Sequence, residues 1–185
     1  RFFRDTLPDY GINVKYVDPN SLEDLLYLIT PKTKVVYFET PTNPTLGLVD
    51  MKRLVELTRK VEREFHKHIT IIIDNTFASC LNQRPFDAGV DVIFESATKY
   101  LGGHADIMAG VLIGTKGFIK KVKAFSRSTQ DALADSSAVA EEALSGVRTV
   151  KAFAQENFEL TRYEKRLDRA LNLSVSKIKE VTKFT

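Results

Sequence analysis

The sequence has one cysteine, Cys80, in 185 residues. A single thiol excludes an internal disulfide and fits a reducing compartment, so we expect a cytoplasmic location. No apolar run reaches the roughly 20 residues of a membrane-spanning helix, and the first residues do not read as a signal peptide. The net charge of +3 is spread along the chain without a basic cluster, so nucleic acid is not an expected partner. With 43% hydrophobic and 28% charged residues, the composition is that of a soluble globular protein.

Proline and glycine are scarce in the last third of the sequence. All six prolines and eight of the nine glycines precede residue 126, and only Gly146 follows. The apolar residues after this point recur at helical spacing. We therefore predict two parts, an α/β domain over residues 1–125 and an all-α segment over residues 126–185. Because the chain begins with Arg1 rather than methionine, we also expect a fragment.

The central stretch of the first part runs from residue 69 to residue 100. Ile69–Ile73 and Val90–Phe94 have the length and β-branched content of buried parallel strands. Asp74 follows the first run, and Ser96-Ala97-Thr98-Lys99 follows the second. In a parallel sheet both strand ends meet at one edge, where ligands bind. An acid, hydroxyls and a lysine at that edge suit a cationic ring, a phosphate and an aldehyde, which together describe pyridoxal phosphate.

Further strands and helices alternate around this stretch. Because such alternation is typical of a doubly wound, mostly parallel sheet, we predict the α/β class. The predicted strands are Ile12–Val17, Lys34–Glu39 and Ile107–Gly114; the predicted helices are Leu22–Ile29 with Ser21 as its cap, a helix from Asp50 to about His66, and one beginning at Lys116.

Two motifs carry a family resemblance. IIDNTFAS followed by ESATKYLGGHADIMAGV resembles the Cys/Met-metabolism family of PLP-dependent enzymes over about residues 1–125. The resemblance implies part of a PLP-dependent transferase-like fold of the aspartate aminotransferase type, with pyridoxal 5′-phosphate as cofactor. It also implies β- or γ-elimination or γ-replacement on cystathionine, homoserine esters, cysteine or methionine, in a trans-sulfuration lyase or transferase. A homo-oligomer with a small-molecule amino-acid substrate is expected on the same grounds.

The resemblance also implies a role for individual residues. Lys99 would be the Schiff-base lysine that moves protons, and Asp74 would pair with the pyridinium nitrogen. The remaining candidates for cofactor binding are Ser96 and Thr98 at the phosphate, Asn43 near the ring oxygen and substrate carboxylate, and Thr76 beside the ring. Each has a plain alternative, namely a surface lysine, a capping aspartate, or ordinary turn residues. We expect no metal, because His66 and His68 have no nearby Cys or His partner in the sequence.

Parts of the family's pocket have no counterpart in this sequence. The resemblance implies a glycine-containing phosphate loop and a ring-stacking tyrosine before Arg1. It implies a carboxylate-binding arginine in a domain after residue 125, and phosphate-binding residues from a neighbouring subunit. We therefore expect this chain to contain about half of the pocket and to be incomplete as an enzyme by itself.

The all-α segment resembles something different. TQDALADSSAVAEEALSGVRTVKAFAQENFELTRYEKRL is similar to the cytoplasmic helical loop of an ABC exporter transmembrane domain. That resemblance implies a short coupling helix near Phe153–Arg162 and an ATPase-domain partner. Alternatives to the enzyme are thus a transport-coupling segment, or a chimera that has neither activity. A generic amphipathic helix would give the same apolar spacing.

Overall fold

A computed structural model describes residues 2–104 and 106–183 of the chain. Contacts between residues divide it into two compact units, of which the first ends at Ile119 and the second begins at Lys120. The division lies slightly before the boundary that the sequence predicts at residues 125/126.

A four-stranded sheet forms the centre of the first unit, in the order β1-β2-β3-β4. Strands β1, β2 and β3 are parallel, and β4 runs antiparallel to β3. In this register Glu39 lies opposite Asp74, and Asp74 lies opposite Phe94. The predicted α/β class with a mostly parallel sheet is confirmed. The strands are β1 (Val35–Glu39), β2 (Thr70–Asp74), β3 (Val92–Ser96) and β4 (Gly110–Gly114).

The helices of the first unit connect the ends of the strands. The longest that lies wholly within it begins after Asp50, whose carboxylate accepts a hydrogen bond from the Arg53 amide at 2.9 Å, as an N-cap does. It ends at His66, which adopts a left-handed conformation with φ of 50°. The predicted helix is confirmed. The helices are α1 (Leu25–Leu28), α2 (Met51–Phe65) and α3 (Ser79–Asn82), with 3-10 turns at Leu7–Tyr10, Leu22–Asp24 and Pro85–Ala88 and π-helical turns at Phe2–Thr6 and Ala97–Leu101.

The core lies between α2 and one face of the sheet. Ile71 and Ile73 are fully buried there, and Leu57 and Val61 of α2 pack in the same cluster. Burial of each such side chain contributes about 1.5–3 kcal/mol, so this layer holds the strands in place. Alternate residues of the strands point to the opposite face, where Tyr37 remains 42% exposed.

Two local predictions for the first unit are wrong. Residues 12–17 pair with no strand in the described part of the chain, and an alternating pattern alone cannot form a strand without a hydrogen-bonded neighbour. The side chain of Ser21 makes no capping hydrogen bond. A capping hydroxyl would accept a hydrogen bond from the Asp24 amide. That amide donates instead to the Ser21 carbonyl at 3.0 Å, in a 3-10 turn.

The second unit is helical. Arg162 and Glu142 form an ion pair of 2.8 Å within it, while Val139 and Ala170 are buried. Its helices are α4 (Lys116–Ser145, which begins in the first unit), α5 (Val147–Ala152) and α6 (Glu156–Lys183). Across residues 2–104 and 106–183, no helix combines the length and apolar character that spanning a membrane requires.

The expected separate coupling helix near Phe153–Arg162 is not found. Residues 153–155 form a turn, and the residues that follow belong to the long helix α6. Ala154 has φ of 50°, which no helix interior accommodates, so α5 ends before it.

Candidate functional site

The predicted site residues gather at the carboxyl edge of the parallel strands. Asp74 is the last residue of β2, and Ser96 is the last residue of β3. Lys99 lies in the π-helical turn that follows β3, and Asn43 lies in the loop that follows β1. Because β1, β2 and β3 are parallel neighbours, their ends bring these side chains to one edge of the sheet.

The carboxylate of Asp74 is held by two donors. One oxygen accepts a hydrogen bond from the backbone amide of Thr76 at 3.0 Å, and the other accepts from the Tyr37 hydroxyl at 3.4 Å. Burial and the charges of Asp74 and Glu39 raise the pKa of Tyr37 to about 12, so this hydroxyl stays protonated and donates. Tyr37 is a site residue that the sequence analysis missed. The alternation of β1 places it on the same face as Glu39, but only the register with β2 shows that the face meets Asp74.

Glu39 adds a second carboxylate to this edge. It lies opposite Asp74 in the β1–β2 register. Burial and the charge of Asp74 raise the pKa of Glu39, while a hydrogen bond from the backbone of Asn43 acts in the opposite direction. Two acids side by side create a negative potential, and a cationic ring bound here would lower the repulsion between them.

Lys99 is exposed in a tightly closed turn. Its φ of −99° and ψ of −121° depart from helical geometry. The turn is closed by the bond from the Gly103 amide to the Lys99 carbonyl at 3.0 Å. Gly102 passes so near to this turn that a Cβ there would stand 2.5 Å from the carbonyl oxygen of Ala97. Only glycine fits that approach, so the backbone around Lys99 depends on it.

The hydroxyl groups near the strand ends differ in the hydrogen bonds that they make within the protein. The Thr98 hydroxyl donates to the carbonyl of Ala109 at 3.3 Å and accepts from its amide at 3.1 Å, so it already serves the backbone. The Thr76 hydroxyl accepts from the Ser96 amide at 2.8 Å and thereby joins the ends of β2 and β3. Ser96 is half-buried, and the side chain of Asn43 is exposed in its loop.

This set of groups fits pyridoxal phosphate in part. A carboxylate bonded to a protonated tyrosine and flanked by a second acid suits a protonated ring nitrogen. An exposed amine follows the neighbouring strand, where an aldehyde would need it. These are groups of the kind that a pyridoxal phosphate site at the edge of an α/β sheet requires.

Comparison with known proteins identifies the family. A family model described as Cys/Met metabolism PLP-dependent enzyme matches residues 1–160. The chain belongs to this enzyme family, whose cofactor is pyridoxal 5′-phosphate. The predicted family and cofactor are thereby confirmed.

Individual relatives agree with this assignment. Cystathionine gamma-lyase of Rattus norvegicus is 42% identical over 112 residues, which are 60% of this chain and 27% of the relative. L-methionine gamma-lyase of Porphyromonas gingivalis is 38% identical over 122 residues, which are 66% of this chain and 29% of the relative. The solved structure of cystathionine gamma-lyase from Lactobacillus plantarum complexed with L-serine has a TM-score of 0.58 and 36% identity, covering 65% of this chain and 30% of that one.

The extent of these matches bears on the domain prediction. The chain spans less than a third of the length of the relatives described above. The family match continues past residue 125 to residue 160. None of the comparisons described here supports the resemblance of residues 126–185 to an ABC exporter or the chimera that it suggests.

Proposed function

We propose that this chain contributes Lys99 and Asp74 to a pyridoxal phosphate site that carries out β- or γ-elimination or γ-replacement on a sulfur amino acid. The observation that carries the proposal is the placement of an acid and an amine at the ends of neighbouring parallel strands, in a chain of this family. The bound cofactor supplies an electron sink that acidifies the α-carbon of the substrate.

The residues of the chain divide the work between binding and proton transfer. The amine of Lys99 would hold the aldehyde and then take the α-proton as general base. Asp74, fixed by Tyr37 and Thr76, would keep the ring nitrogen protonated.

The phosphate and substrate would be held by the polar groups around these two residues. The Ser96 hydroxyl, half-buried at the end of β3, is the donor that we assign to the phosphate. Thr98 would act mainly through its bonds to Ala109, which fix the start of the turn carrying Lys99. Asn43 would reach the cofactor oxygen and the substrate carboxylate from the loop after β1.

The names of the relatives support a proposal for the substrate. Relatives named cystathionine gamma-lyase, L-methionine gamma-lyase and cystathionine beta-lyase favour cystathionine, methionine or a related amino acid as substrate. We further propose a homo-oligomer in the cytoplasm, in which other parts of the pocket complete the site.

The test is covalent trapping of the cofactor. Purified chain is mixed with pyridoxal 5′-phosphate, reduced with borohydride and digested, and the modified peptide is located by mass spectrometry. We expect a visible absorbance band and a modification at Lys99, both lost in Lys99→Ala. The matched control is Lys60→Ala, which removes an exposed lysine of α2. Equal modification of wild type and Lys99→Ala would contradict the proposal.

Substrate choice is tested separately. Release of a 2-oxo acid is measured with cysteine, cystathionine, methionine and a homoserine ester as substrates. The rate is expressed per chain that carries the cofactor at Lys99, a fraction that the trapping experiment gives. Turnover of one of these that Lys99→Ala abolishes is the expected result.

A further inference from the structure

A buried polar pair lies behind the strand ends of the site. Asn75 follows β2 and is 1% exposed, and Glu95 of β3 is 3% exposed. The side-chain amide of Asn75 donates to the Glu95 carboxylate at 2.8 Å. The backbone amide of Asn75 donates to the carbonyl of Phe94 at 2.9 Å, so the same two segments are joined twice.

Gln83 extends this pair to the end of β1. Its side-chain amide donates to the Asn75 side-chain oxygen at 2.7 Å and to the carbonyl of Thr40 at 2.9 Å. Thr40 directly follows β1, and Gln83 directly follows α3. The network of Thr40, Asn75, Gln83 and Glu95 therefore ties together the ends of three parallel strands and one helix.

The chemistry of the side chains fixes the direction of the hydrogen bonds in this network. An amide nitrogen only donates, so the nitrogen of Asn75 is the atom that faces the Glu95 carboxyl oxygen. The oxygen of Asn75 is then left facing Gln83, which donates to it. Each hydrogen bond from Gln83 through Asn75 to Glu95 thus has a defined donor and a defined acceptor.

Two members of the network lie one residue away from groups that we assign to the cofactor. Asn75 follows Asp74, and Glu95 precedes Ser96. Because successive residues of a strand face opposite sides, the network occupies the covered face while Asp74 and Ser96 occupy the other face. A shift between the ends of β2 and β3 would therefore change the spacing between the carboxylate at the ring and the hydroxyl at the phosphate.

We propose that Glu95, acting through Asn75 and Gln83, is a positioning residue that sets the spacing between Asp74 and the Ser96–Lys99 segment. The catalytic importance of this spacing rests on the proposed function. The effect of Glu95 on the strand ends can be measured without the cofactor. In this proposal the buried Glu95 acts through the strand ends and has no direct role toward the cofactor or the substrate.

The first test measures amide hydrogen exchange in the absence of pyridoxal phosphate. In Glu95→Leu we expect the Ser96 amide, which donates to Thr76, to exchange about 10- to 100-fold faster. The Ile71 amide, which donates to Asp91 at the other end of β2, should keep its wild-type rate. Val61→Ala is the control, because it weakens the core without touching the strand ends and should speed both amides alike. An equal effect of Glu95→Leu on both amides would overturn the proposal.

Two milder variants keep the test decisive if Glu95→Leu does not fold. Glu95→Gln retains an oxygen that accepts from Asn75, and we expect it to restore most of the Ser96 protection. Gln83→Met removes the donor to Asn75 and Thr40 at a half-buried position, and we expect a smaller loss confined to the strand ends. Loss in Glu95→Gln as large as in Glu95→Leu, or unchanged exchange in Gln83→Met, would contradict a role through Asn75.

The second test links the network to the cofactor. Borohydride trapping at Lys99 is compared in wild type, Glu95→Leu, Glu95→Gln and Val61→Ala. We expect trapping to fall at least tenfold in Glu95→Leu and to remain near wild type in Glu95→Gln and in Val61→Ala. Absence of trapping in the wild type would refute the proposed function, whereas wild-type trapping that Glu95→Leu leaves unchanged would refute the positioning role.

Discussion

Arg59 of α2 gives the clearest prediction about stability, because its guanidinium meets two acids at the amino end of the sheet. It pairs with Glu62 at 2.6 Å and with Asp91 at 2.6 Å, and it donates to the carbonyl of Ile69 at 2.9 Å. Those acids in turn accept backbone amides of β2 and the residue before it: Glu62 from Ile69 at 3.0 Å and Asp91 from Ile71 at 2.7 Å. Arg59 therefore connects α2 to the start of the sheet.

The expected cost of Arg59→Met follows from burial. The side chains of Arg59, Glu62 and Asp91 are only 23%, 21% and 24% exposed. Breaking a fully buried pair costs about 3–5 kcal/mol, and an exposed pair contributes about 0–1 kcal/mol. For this partly exposed cluster we expect a loss of roughly 2–3 kcal/mol in the free energy of unfolding.

The same helix offers a matched control. Arg53 pairs with Glu23 and Glu56, but the exposed fractions of these side chains are 41%, 61% and 68%. Arg53→Met removes the same charge from α2 and should destabilise the fold much less than Arg59→Met, because solvent screens exposed ion pairs.

Both variants are unfolded with urea as the whole chain, and unfolding is monitored by hydrogen exchange of the peptide that contains β2. The free energy of unfolding that is measured is therefore that of the first unit. A loss below about 1 kcal/mol for Arg59→Met, or losses equal in the two variants, would refute the reasoning from burial.

Further predictions concern single contacts. Thr76→Val removes the acceptor of the Ser96 amide and should cost about 1 kcal/mol in urea unfolding, with Thr76→Ser as the control that keeps the hydroxyl. Gly102→Ala should reduce borohydride trapping at Lys99, because its Cβ meets the backbone at 2.5 Å; an unchanged yield would contradict the close approach. For Glu62, burial alone would raise the pKa, but hydrogen bonds from Ile69, Arg59 and His68 lower it. A lowered pKa stabilises the fold above the ordinary glutamate pKa and loses that contribution as the pH falls through the folded value. Unfolding of wild type should therefore depend on acid pH more steeply than that of Glu62→Gln, and equal slopes would argue against it.

The strands and the long helix of the first unit could be predicted because their signals are local. The short apolar run Ile69–Ile73 has the length and β-branched content of a buried strand. Asp50 stands at the N-cap position of the helix that follows it. Ile12–Val17 fails because pairing depends on a neighbour that the run itself does not specify. Ser21 fails because a backbone carbonyl competes for the same amide.

The site was predictable in its residue types and not in its connections. Asp74 and Lys99 follow strands, so their common edge follows from parallel topology alone. The partnership of Tyr37 with Asp74 depends on register, and that of Glu95 with Asn75 depends on which face of the sheet α2 covers. Neither the register of the strands nor the face that α2 covers can be predicted from a single segment of sequence.

The turn that carries Lys99 has a consequence for sequence change over evolution. This turn is part of the connection between β3 and β4, which is closed at its base where Ser96 is opposite Gly110 and Thr98 bonds to Ala109. Within this connection, the described residues 103, 104 and 106–109 are all exposed. Insertions at the exposed tip can then vary in length at a small entropic cost, while the lysine keeps its position at the base. Changes of length or sequence in this connection can thus place new residues near Lys99 without moving Lys99 itself.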